Sequence, residues 1–181
     1  MVGSQESPAA VAGALGGADK NPWERRCRVG IDPGLQGAVS VLIPNEAPII
    51  RSTPTIVVNR RRQYAVAGMV ELLEPWRMSK DLHVVLEKAQ AFPGDGTVGA
   101  FNYGKGFGIW LGILAALGMP HTLVAPQTWK AAVLKDMGKD KGASRLKACQ
   151  LFPKMAIEFQ TAVSHNKAEA LLLAVYADRC F

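Results

Sequence analysis

Four side chains in this sequence have the chemistry of a hard-cation site, provided the chain brings them together. Asp32 closes the stretch VGIDPG, Glu87 closes VVLE, and His165 and Glu169 stand four residues apart in HNKAE. Three carboxylates and an imidazole are a ligand set for one or two hard divalent cations. A pair of such ions about 4 Å apart clamps the attacking and leaving oxygens of a phosphodiester during hydrolysis. Each residue also has a plainer reading. An Asp before Pro and Gly commonly bonds its own turn. A Glu at a strand end is usually a solvated rim residue or, here, a partner for Lys88. A His and a Glu in a helix's first turn can be an ordinary pair, with the Glu complementing the dipole. Position in the fold decides between these readings.

The elements follow from periodicity. CRVGIDPG and GAVSVLIP are short β-branched runs separated by turn residues, the pattern of a hairpin. PIIRSTPTIVV is a third strand that Pro54 bends or confines to an edge. RRQYAVAGMVELLEPW has helical spacing and ends near Pro75, so the Arg60, Arg61, Arg62 run is expected to open this helix. HVVLEKA reads as a buried strand, YGKGFGIWLGILAALG as a helix packed through small residues, and HTLVAP as a fifth strand. PQTWKAAVLKDM, KGASRLKACQLF and SHNKAEALLLAVYADR read as helices. The order predicts an α/β layered domain over residues 25–181, a five-stranded mixed sheet flanked by helices. If the strands ending in Asp32 and Glu87 are neighbours, a helix laid across them adds His165 and Glu169.

Composition fits this frame. The 181 residues are 49% hydrophobic and 20% charged, globular rather than disordered. A net charge of +6 suits a polyanionic partner. The apolar run from Ile109 to Leu117 is too short for a bilayer, so no membrane association is expected. Cys27, Cys149 and Cys180 are odd in number and have no zinc spacing, which points to a reducing compartment. Residues 1–24, rich in Ala, Gly and Ser, read as a flexible arm and not as an intact secretory or transit signal.

GIDPG, LEKAQAF, YGKGFG, APQTWK, KDKGASRLKA and HNKAEALLLA, in this order, resemble the Holliday junction resolvases of the RuvC type, within the RNase H-like superfamily. The stretch AFPGDGTVGAFNYGKGFGIWLGILAALGMP resembles in particular the plant chloroplast branch of that family. The resemblance spans residues 27 to 179 and implies an RNase H-like fold. It implies a homodimer in the chloroplast that binds four-way DNA junctions. It also implies two opposed nicks, made with Mg²⁺ or Mn²⁺, two ions per site, and no small-molecule cofactor. Carried over by motif, the ligands and catalytic residues are Asp32, Glu87, His165 and Glu169. Relatives often place one ligand three residues before the last carboxylate, where this chain has Asn166, so Asn166 is the rival to His165.

Basic residues are the candidates for backbone contacts. Lys130 follows the fifth strand, Lys139, Lys141, Arg145 and Lys147 follow further on, and Arg61 and Lys105 lie in the earlier segments. The resemblance puts Lys130 and Lys141 nearest the scissile strand; any such cluster can also be a solvated face. Phe92, in a Pro/Gly-rich loop, either stacks on an unpaired base at the crossover or packs within its loop. Two other functions stand beside junction cleavage: an RNase H-like nuclease on RNA/DNA hybrids, and a catalytically silent junction-binding module.

Overall fold

Strand β1 (Arg26–Asp32) is buried on both faces because its residues alternate between two apolar layers. Cys27, Val29 and Ile31 face one layer, whose core includes Met69, Leu73, Trp110 and Leu114. Arg28, Gly30 and Asp32 face the other. The computed structural model describes residues 25–90, 96–138, 140 and 142–181. The expected arm over 1–24 lies outside them, as do Phe92, Lys139 and Lys141.

β1 pairs antiparallel with β2 (Ala38–Leu42), which pairs antiparallel with β3 (Ile49–Ser52) at the sheet edge. On its other side β1 runs parallel to β6 (Asp81–Glu87), and β6 parallel to β7 (His121–Val124). This is the expected five-stranded mixed sheet, in the order β3-β2-β1-β6-β7. α1 (Val66–Leu73) and α2 (Thr97–Ala116) cover one face; α3 (Pro126–Val133), α4 (Ala143–Leu151) and α5 (His165–Cys180) lie on the other. Among the described residues no helix is long and apolar enough to cross a membrane.

The segment after β3 departs from the expectation. Pro54 splits the predicted third strand in two, and β4 (Thr55–Val58) pairs with β5 (Arg61–Tyr64) in a separate two-stranded sheet. Arg61 and Arg62 therefore lie on a strand, not at the start of a helix, and α1 begins only at Val66. The hairpin turns through Asn59 and Arg60, both with positive φ (49° and 60°), the two-residue turn whose twist matches that of the flanking strands. Arginine is a poor advertisement for that backbone, which hid the hairpin.

Candidate active site

Adjacent parallel strands set the first two carboxylates. Ile31 and Leu86 are register partners, so Asp32 and Glu87 follow them at neighbouring strand ends. By the strand alternation both point to the α5 side, Asp32 with Gly30 and Glu87 with Val85. α5 crosses directly over β1 because Gly30 has no side chain: a Cβ there would collide with the Ala170 carbonyl and the Ala174 amide. This contact brings Glu169 over the strand ends. The condition posed by the sequence, that the two strands be neighbours beneath the last helix, is met.

Asp32, Glu87 and Glu169 are each buried, at 5%, 5% and 7% exposure. The Gly34 amide donates to Asp32 Oδ1 at 3.0 Å, so this Asp does bond its own turn. Burial, with the nearby Glu87 and Glu169 adding to it, pushes its carboxyl up to about 7 against the Gly34 amide and Lys130. Burial also raises Glu87, although the Trp129 indole and the Tyr103 hydroxyl each donate to it and lower it. Trp129 Nε1 donates to Oε1 and Tyr103 Oη to Oε2, both at 2.8 Å, which fixes the plane of the carboxylate. Glu169 Oε1 meets Lys130 Nζ at 2.7 Å, the Ser144 hydroxyl at 3.1 Å and His165 Nε2 at 3.3 Å. The Lys130 ammonium also sits 5.2 Å from the Trp129 ring centroid.

Three buried carboxylates thus have the Lys130 ammonium beside them. Burial, and after it the neighbouring carboxylates, raises Asp32 and Glu87, an environment a divalent cation relieves, and the oxygen-rich donor set with one imidazole suits Mg²⁺ or Mn²⁺. As the side chains stand, no three His, Cys, Asp or Glu among the described residues are gathered to hold an ion. Lys130 supplies the counter-charge at Glu169 instead.

His165 and Asn166 are separated by their contacts. His165 opens α5 one turn before Glu169 and reaches its carboxylate, whereas the Asn166 amide donates to the Gln36 carbonyl at 2.8 Å, tying α5 to the β1–β2 turn. Lys147 is not a free cation: its ammonium bridges both oxygens of Asp136, at 2.9 and 2.7 Å, and is largely buried. Lys105 is exposed on α2, and Arg61 on the hairpin. Arg145 is half-buried near His165, on the same groove. Tyr103, Trp129 and Ser144 were not singled out from the sequence. A Trp and a Tyr in apolar-looking helices give no sign that their polar atoms converge on one carboxylate.

No family model matches the chain. A curated relative, the Holliday junction resolvase MOC1, chloroplastic, of Chlamydomonas reinhardtii, is 31% identical over 96 residues, 53% of this chain and 11% of that protein. The matched stretch therefore spans about a tenth of that relative's length. Among solved structures, Thermus thermophilus RuvC in complex with a Holliday junction substrate matches with a TM-score of 0.54 at 18% identity, over 83% of this chain and 91% of that one. A further Thermus thermophilus RuvC structure gives 0.49 at 19% identity, over 83% and 92%. The chain has the RNase H-like fold of RuvC and is similar in sequence to a chloroplast Holliday junction resolvase.

Proposed function

We propose that this chain is a divalent-metal-dependent endodeoxyribonuclease that resolves four-way DNA junctions by paired nicks in opposed strands. It does so as a homodimer, and in plastids. The observation that carries the reading is the convergence of Asp32, Glu87 and Glu169, all buried, from two parallel strand ends and the helix across them. A RuvC-like fold and a resolvase relative supply the substrate class.

Asp32, Glu87, Glu169 and His165 would hold the metal. When bound, two divalent ions polarise the scissile phosphate and lower the pKa of the attacking water. The protein's own share is placement. Tyr103 and Trp129 occupy one lone pair on each Glu87 oxygen and hold the carboxylate in one orientation. Gly34 holds Asp32 Oδ1 in the same way. Lys130, once relieved of Glu169, is within reach of a backbone phosphate at the site. Lys141 and Phe92 keep their roles as phosphate contact and base-stacking residue in this proposal.

The test is incubation with a synthetic four-way junction and Mg²⁺, with products mapped on all four strands. Wild type should nick two opposed strands at equivalent positions. Asp32→Asn should bind the junction nearly as well and not cut it. Cutting by Asp32→Asn at the wild-type rate would remove the metal site. Cleavage of an RNA/DNA hybrid with the junction left intact would transfer the site to a different substrate.

A further inference from the structure

Beside His165 a groove of roughly 840 Å³ runs between the β4–β5 hairpin, the β1–β2 turn and the start of α5. Arg62 projects into it from the hairpin, Arg145 from α4 and Lys167 from α5, and none of the described residues lining it is Asp or Glu. Strand alternation turns Arg61, the residue favoured by the sequence, to the other side of β5. Two of the cations are only weakly engaged. Arg145 gives one N–H to the Gln160 carbonyl at 3.2 Å, and Lys167 stands 3.6 Å from Glu158. The wall is braced by Asn166, whose amide is bonded to Gln36.

We propose that this groove carries the phosphodiester backbone of the DNA strand where it leaves the cleavage site, with Arg62, Arg145 and Lys167 on its phosphates. The proposal rests on the nuclease reading above and extends it to a strand path. A strand whose scissile phosphate lies over Asp32 and Glu169 passes His165 on one side, and the groove begins there. Three cations from three separate elements match a row of phosphates better than a single anion. The hairpin gives the groove its outer wall, so its second sheet has a purpose that the five-stranded sheet does not supply.

The measurement is equilibrium binding of a fluorescent four-way junction in EDTA across a salt series, with cleavage in Mg²⁺ recorded separately. Arg62→Ala and Lys167→Ala should each weaken binding about three- to tenfold and lower the slope of log K against log salt by about one. Lys154→Ala removes the same charge outside the groove and should change neither by that amount. Arg62→Ala and Lys167→Ala behaving like Lys154→Ala would overturn the groove. Failure of the nuclease reading shows elsewhere, as wild type that binds the junction and never nicks it. Groove variants that weaken binding in that circumstance would still support the strand path.

Discussion

Glu87 is the residue whose surroundings say most about its task. A carboxylate that only needed to be buried could be neutralised by a proton, yet here Trp129 and Tyr103 each spend a donor on it from a different element. Hydrogen bonds of this kind to a metal-binding carboxylate set its orientation, and losing one typically costs 10- to 100-fold in metal affinity or activity. Tyr103→Phe is therefore expected to lower junction cleavage by about that factor and to be partly rescued by raised Mg²⁺. An unchanged Mg²⁺ requirement in a titration of the variant would show the hydroxyl to be structural only. Far from the site, His83 stacks on Phe181 with ring centroids 3.9 Å apart and bonds Thr122 at 2.9 Å. Its pKa is lowered, chiefly by burial and then by Arg28 and His121. The unfolded chain then binds the proton more readily, so the His83 contribution is complete above the ordinary histidine value of 6.5 and lost as pH falls through the lowered folded value. Asp32 and Glu87, both raised, act in the opposite sense. The difference between wild type and His83→Gln in urea denaturation isolates the His83 share, and the wild type's advantage should shrink between pH 7.5 and pH 5.5.

At the level of elements, the sequence exposed what periodicity encodes and concealed what depends on rare backbone. Alternation in β1, β2 and β6, and the apolar face of α5, place Asp32, Glu87, His165 and Glu169 before any coordinates are seen. Clamps such as Tyr103 and Trp129 stay hidden, because nothing in their spacing says where a ring's polar atom points. The β4–β5 hairpin stays hidden for another reason: its turn needs two residues of positive φ, and Arg60 fills a place where Gly is usual. A non-glycine residue in that region is strained by about 1–2 kcal/mol, against about 0.5–1 kcal/mol of extra unfolded-state entropy for Gly. Arg60→Gly should thus raise stability by roughly 0.5–1 kcal/mol, seen as a rise in Tm of about 1–4 °C. A fall in Tm would mean that the Arg60 side chain holds the hairpin by contacts that outweigh the strain.

For the whole molecule, symmetry is the governing consideration. A four-way junction has an approximate two-fold axis, and nicks at equivalent points in opposed strands call for two active sites related in the same way. On the proposed reading an isologous dimer supplies them, so light scattering should give about twice the 19.4 kDa of one chain for the free protein, and that mass added to the DNA's on the junction. A single chain in both states would count against paired cleavage by one complex. Synthesis imposes an order on the same site. Gly30 lies in the first strand of the sheet, and the backbone it accommodates belongs to α5, the last helix. A nascent chain can pair β1 with β2 and β6 while Glu169 is still inside the ribosome. Until α5 emerges and settles on Gly30, Asp32 and Glu87 stand at the end of an uncovered sheet. On the proposed reading the metal site is therefore complete only once α5 has followed the sheet, and a chain that stops short of α5 lacks Glu169 and His165.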